Sequence, residues 1–243
     1  EALKLNDMLK DEFISTVTHE MKTPITSIRA FSEILLDENL DEANKRKFLQ
    51  IIIDETGRMS RLIDQVLDLE RFDSGKQKLN LVKTEIGELI KETAESMEQV
   101  FAEKGLRFSV LQNFDHLELL LDPDRIRQVI LNLLSNASKF ASSTVLLQAM
   151  ENEEDLILEV KDDGKGIPEE EMPYIFDKFY QAKNQTTKKP IGSGLGLAIS
   201  KKIVDYHGGT LLVDRVEELT TFRVILPKQL KAYPNFNTQL AHE

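Results

Sequence analysis

Apolar residues recur at spacings of three and four from the start of the chain: Leu5, Leu9, Phe13, Val17, Met21, Ile25, Ile28, Phe31 and Leu35. At 3.6 residues per turn this series lies along one side of a helix, and it predicts one long amphipathic helix over residues 5–36. Asp37-Glu-Asn-Leu-Asp-Glu42 is polar and turn-like. A second stripe follows in Phe48, Ile51, Ile52, Met59, Leu62, Val66 and Leu69, interrupted once by Glu55. The two stripes read as an antiparallel helical hairpin. Two helices cannot enclose a core alone, and a homodimeric four-helix bundle supplies the missing partner most simply.

Asp73-Ser-Gly-Lys76 breaks the helical pattern and reads as a hinge, so residues 1–73 form a first domain, 74–76 a hinge and 77–227 a second domain. After the hinge the pattern alternates between the two periods. Strands are expected at 79–84, 106–111, 117–121, 144–150 and 155–161, and helices at 85–104, from Pro123 to about 140 and at 195–206. Asp122-Pro123 supplies a cap followed by a first-turn proline. A closing pair of strands is expected at 210–215 and 221–226. The result is an α+β fold, a mixed sheet with helices on one face. Residues 163–192 are polar and glycine-punctuated, and a loop of that length tends to be a functional lid. Residues 228–243 form a tail without clear periodicity.

Composition narrows the chemistry. The 243 residues contain no cysteine, which excludes disulfides and thiolate metal sites, and the four histidines (His19, His116, His207, His242) are too scattered for a zinc cluster. A formal net charge of −11 argues against a nucleic-acid partner. No run approaches the ~20 apolar residues of a membrane span, so this segment is expected to make no membrane contact. The chain also opens inside a helical pattern, as a fragment of something longer does.

Four local groupings carry candidate chemistry. His19 lies roughly 160–200° around the helix from Val17 and Met21 and so faces water. Glu20 adjoins it and Thr23 follows one turn later, while Pro24 removes the donor that the Glu20 carbonyl needs and predicts a kink or loosened turn. His-Glu-Met-Lys-Thr lacks the second histidine of a zinc-protease helix. An exposed histidine by itself is an ordinary surface residue. Asn132, Asn136 and Lys139 share one helix face, where amide oxygens suit Mg²⁺ and an ammonium suits phosphate, although a solvated surface has the same composition. Asp162-Asp-Gly-Lys-Gly-Ile-Pro168 reads equally as a bare turn or as a carboxylate with close-approaching backbone. Gly192-Ser-Gly-Leu-Gly-Leu-Ala198 runs into a helix whose N-terminus favours phosphate, without the Lys-[Ser/Thr] ending of a Walker loop.

The string Phe13-Ile-Ser-Thr-Val-Thr-His-Glu-Met-Lys-Thr-Pro-Ile-Thr-Ser-Ile28 closely resembles the H-box of sensor histidine kinases of two-component systems. Asn132-Leu-Leu-Ser-Asn-Ala-Ser-Lys-Phe140 resembles their N-box, and the two glycine-bearing segments resemble their first and second glycine boxes. Phe176-Asp-Lys-Phe-Tyr180 is similar to their F-box. Five boxes in order cover roughly residues 10–227. The resemblance implies that the second domain is an ATP-binding α/β sandwich of the GHKL type beneath a mobile lid.

It further implies that His19 is the phospho-acceptor, that Glu20 takes or orients the proton of the other ring nitrogen, and that Thr23 places a water for dephosphorylating the partner. Asp162 is then the adenine acceptor and Asn136 the Mg²⁺ ligand. Asn132, Lys139, Phe140, Gly164, Gly166, Ile167, Phe179, Gly192, Gly194, Leu195 and Gly196 surround the ATP. Phe176 and Phe179 anchor the lid or serve as plain core, and Lys183, Lys188 and Lys189 meet the triphosphate or are simply solvated. Ile191 and Ala141 depart from the family pattern without removing a chemical group.

By that resemblance the protein uses Mg-ATP to phosphorylate its own His19 and passes the phosphoryl group to an aspartate in the receiver domain of a response regulator. It also allows phosphatase action on that regulator, and implies a cytoplasmic segment of a membrane-anchored receptor. The rival reading is a GHKL conformational switch that binds ATP without phosphorylating histidine.

Overall fold

The computed structural model describes residues 2–37, 40–180 and 193–229, with side chains of the first helix from residue 14 onward. Helix α1 (Ala2–Ile34) continues through Pro24, which is buried, so the missing backbone donor does not end it. Helix α2 (Glu42–Asp73) starts where the Asp41 carboxylate accepts from Asn44 N at 2.9 Å, and stops at Ser74 because Gly75 turns left-handed at φ +65°. Phe31 stacks on Phe48 with centroids 5.2 Å apart, and Arg58 meets Glu20, which sets the antiparallel register of the predicted hairpin.

The second part contains β1 (Val82–Glu85), α3 (Ile86–Glu103), β2 (Arg107–Gln112), β3 (Glu118–Leu121), α4 (Pro123–Phe140), β4 (Thr144–Glu151), β5 (Asp155–Asp162), α5 (Gly196–Tyr206), β6 (Thr210–Val216) and β7 (Leu219–Pro227). Five strands form one sheet in the order β2-β4-β5-β7-β6, and β1 pairs with β3 separately. Only the β2–β4 pair in the large sheet is parallel, because the chain crosses through β3 and α4 between them. Alternate residues point inward: Val145, Leu147 and Ala149 on β4, Leu156, Leu158 and Val160 on β5, Phe222, Val224 and Leu226 on β7. Against them α4 lays Ile126, Val129, Ile130, Leu133 and Leu134, spaced to fill one helical face.

The expected elements are present with small shifts at their ends. The strand expected at 79–84 begins only at Val82, where pairing to Leu121 starts. The expected lid loop contains a short 3₁₀ turn, Met172–Tyr174, that the sequence pattern did not signal. Residues 181–192 of that loop and the tail from 230 lie outside the described residues.

Two tertiary ties run from the C-terminal end of α5. His207, at the end of α5, accepts from the backbone N–H of Asp122 through Nε2 at 3.1 Å and donates from Nδ1 to the Ile203 carbonyl at 2.7 Å. It is buried, and that burial holds its pKa below the ordinary value against the opposing pull of the Ile203 carbonyl and Asp122. The second tie runs to the hairpin. Leu69 and Phe72 of α2 are buried, the Phe72 ring meets Tyr206 edge-on with centroids 5.0 Å apart, and the Tyr206 hydroxyl donates to the Phe72 carbonyl at 2.8 Å.

Candidate active site

The α1 portion of the site is simple. His19 is exposed and its ring has no hydrogen-bond or ion-pair partner among the described residues. Thr23 turns its hydroxyl back to the His19 carbonyl at 3.4 Å. Glu20 Oε2 lies 3.4 Å from an Arg58 guanidinium nitrogen on α2.

The second portion is built by α4, the end of β5 and the start of α5. Asn132 donates to the Gly196 carbonyl and to Ser200 Oγ, both at 3.2 Å, so it staples α4 to α5. Asn136, one turn further on, has no side-chain partner among the described residues, and neither does Lys139. Burial, with Lys104 adding repulsion, lowers the Lys139 pKa, and no carboxylate among the described residues lies within ion-pairing distance of it. A desolvated ammonium without a counter-charge suits an anionic ligand.

Asp162 closes β5 and is buried. Burial and the neighbouring Asp163 carboxylate raise its pKa to about 6, against the Gly164 N–H at 3.0 Å, Thr220 and Arg215. Asp163 has the opposite fate: it accepts from the backbone N–H groups of Ser142, Ser143 and Thr144 and from Ser143 Oγ, and those bonds outweigh burial and hold its carboxyl far below the usual range. It therefore caps the turn after α4. Gly164 lies so close to the end of α4 that an added Cβ would sit 2.4 Å from the Phe140 carbonyl oxygen. The Gly166 backbone is covered by the Arg215 side chain. Ile167 is half-buried against the core, and Phe140 is exposed.

The described residues on either side of 181–192 meet. Phe179 N donates to the Gly194 carbonyl at 2.9 Å, and Gly194, at φ +69°, would bring a Cβ within 2.6 Å of the Phe179 backbone. Leu195 is wholly buried and seats the N-terminus of α5, which begins at Gly196. Phe176 and Phe179 both pack partly against the core. Gly192, Ile191, Lys183, Lys188 and Lys189 lie outside the described residues. Arg58, Lys104, Arg215 and Thr220 were not legible as site neighbours, because each arrives from an element distant in sequence, and Asp163, although it adjoins Asp162, takes its role from the distant backbone amides of 142–144. Among the described residues no cluster of three or more His, Cys, Asp or Glu forms a metal site, and no helix is long and apolar enough to cross a membrane.

Family models match both portions. Residues 9–75 match the His Kinase A (phospho-acceptor) domain, and residues 121–230 match the histidine kinase-, DNA gyrase B- and HSP90-like ATPase family. The chain belongs to the sensor histidine kinases. It is 36% identical over 231 residues to the sensor histidine kinase WalK of Bacillus subtilis, covering 91% of this chain and 37% of that protein. The sensor protein SrrB of Staphylococcus aureus is 33% identical over 231 residues, covering 91% of this chain and 39% of SrrB. The chain thus spans somewhat over a third of these relatives. Among solved structures, histidine kinase ThkA in complex with the response regulator TrrA aligns with TM-score 0.72 at 25% identity, over 93% of this chain and 64% of that one. Full-length ShkA in complex with AMPPNP aligns with TM-score 0.68 at 26% identity, over 92% and 47%.

Proposed function

We propose that the protein autophosphorylates His19 from Mg-ATP and passes the phosphoryl group to an aspartate of a response regulator. The observation that carries this reading is the occurrence, in one chain, of an exposed His19 without a ring partner among the described residues and of a second site with a buried acid, Asp162, and a desolvated cation, Lys139. In this reading Asp162 faces the base, since a carboxylate accepts from an exocyclic amine. Asn136 and Lys139 serve the phosphates, since the amide oxygen suits Mg²⁺ and the ammonium suits the phosphate oxygens. When bound, Mg-ATP supplies a transferable phosphoryl group and a divalent charge that offsets the negative charge developing on it. Asn132 and Leu195 hold the α5 N-terminus against α4, and Gly194 lets the backbone approach Phe179. Glu20 is the group beside His19 able to accept a ring proton.

Homodimerisation of the hairpin is part of the same proposal. Ile14, Ile25, Leu49, Ile53 and Leu67 are each at least half exposed in one chain, which leaves an apolar surface for a second hairpin. The response-regulator partner is supported by the family match and by the solved complex of ThkA with TrrA. Glu20 and Thr23 also suit phosphatase action on that regulator, seen as faster loss of label from the phosphorylated regulator when this protein and ADP are present.

The deciding experiment incubates the full chain with γ-labelled ATP and compares it with His19→Gln and Asn136→Ala. Acid-labile, base-stable label that disappears in both variants supports the proposal. Label surviving in His19→Gln removes the assignment of His19, and ATP binding without any labelling of the parent chain favours a conformational switch.

A further inference from the structure

The Arg58–Glu20 pair joins residues 38 apart in sequence at the level of the phospho-acceptor. Its side chains are 39% and 19% exposed, and an ion pair so placed contributes at most about 1 kcal/mol to stability. Holding the hairpin together is therefore a poor account of it. The geometry says more about orientation. Glu20 follows His19 directly, so its carboxylate is tethered within one residue of the imidazole, yet a glutamate side chain has three free torsions. Arg58 fixes Oε2 from the opposite helix and leaves Oε1 without a hydrogen bond among the described residues.

Resting on the autophosphorylation reading above, we propose that Arg58 is a positioning residue for that reaction, which orients Glu20 as the proton acceptor of His19. The arrangement is a nucleophile, a base beside it and a third group that aims the base. As one ring nitrogen of His19 forms the bond to the γ-phosphorus, the bond from phosphorus to the β,γ-bridging oxygen breaks and its electron pair leaves on ADP. The proton on the other ring nitrogen passes to Glu20 Oε1, while Oε2 keeps its contact with Arg58. Arg58 touches neither nucleotide nor imidazole in this scheme. Its effect passes entirely through Glu20, and arginine is suited to it because the guanidinium stays charged and is planar.

The test measures autophosphorylation of the full chain across ATP concentrations for the parent, Arg58→Ala, Arg58→Lys, Glu20→Gln and the double variant Arg58→Ala/Glu20→Gln. Arg58→Ala is expected to lower kcat about tenfold with KM for ATP unchanged within about twofold, because the loss falls on the chemical step rather than on nucleotide binding. Arg58→Lys restores part of the loss. On the Glu20→Gln background, Arg58→Ala produces no further fall beyond about twofold. A merely structural role fails this pattern, since it slows the double variant by the same factor as the single one, and that result overturns the proposal. So does an Arg58→Ala variant with parental kcat. If the parent itself gains no acid-labile label, the autophosphorylation reading has failed; if the parent labels normally and only the Arg58 pattern is absent, that reading stands and this one falls.

Discussion

Replacing Asp162 by asparagine separates what the pocket needs for binding from what the fold needs for stability. The unfolded carboxyl ionises near 3.8 and the folded one near 6, so between those values the folded state holds a proton that the unfolded state has shed. Stability from this group is complete below pH 3.8 and is lost as pH rises to about 6. At pH 8 the native chain carries a buried carboxylate, and a shift of about 2 units at 1.36 kcal/mol per unit puts its cost at up to about 3 kcal/mol. The amide is nearly isosteric, keeps an oxygen for the Gly164 N–H and carries no charge. Asp162→Asn is therefore expected to raise ligand-free stability at pH 8 by about 2–3 kcal/mol, with the gain gone by about pH 4. Nucleotide affinity should fall at least about tenfold, because a charged acceptor has been removed. Urea unfolding followed by tyrosine fluorescence reports on this part of the chain, which has no tryptophan but contains Tyr174, Tyr180 and Tyr206. Equal or lower stability at pH 8, or a gain that persists undiminished at pH 4, would refute the reasoning.

Three further outcomes follow from other contacts. Gly194→Ala combines a left-handed φ with a Cβ pressed on the Phe179 backbone, and it should cost about 2 kcal/mol or more in urea unfolding while weakening ATP binding. His207 is buried with a lowered pKa, so its contribution is complete above about pH 6.5 and is lost as pH falls toward the folded value; in His207→Gln the decline in urea midpoint below pH 6.5 should flatten. Arg125→Ala removes a two-pronged contact to Asp68 at 2.6 and 3.0 Å, worth about 2–3 kcal/mol at this part-buried site. Amide exchange in residues 65–81 should then accelerate about tenfold or more, and unchanged exchange would show that the contact does not hold the two parts together.

Much of this architecture was readable from local pattern. The stripe of α4, its Asp122 cap and Pro123 in the first turn marked where that helix starts, because those signals act within a few positions. The glycine-bearing segments were legible through resemblance, and Gly164 and Gly194 have steric reasons for being glycine. Asp163 was passed over because its partners, the backbone amides of 142–144, are named only by the β4–β5 pairing. Arg58 was hidden in the same way. It reads as a solvated residue on α2 until the hairpin register carries it to Glu20. Pairings set by tertiary register leave no periodic trace in sequence, and such pairings make up the electrostatics of this site.

The contact between α2 and the second part has a practical consequence for splicing kinases together. Beyond Arg125 and Asp68, Asp73 receives both Lys178 and Lys202, and although burial pushes its carboxyl up, the two ammonium groups prevail and hold it below the ordinary value. Gln65 accepts from Ser193 at 2.8 Å. Lys178 and Ser193 stand on either side of residues 181–192, so the chain before and after that segment rests on the last turns of the hairpin. A hybrid that joins a foreign hairpin at residue 76 imports strangers at 65, 68, 69, 72 and 73, whereas a junction about one turn before Gln65 carries the matched set across intact.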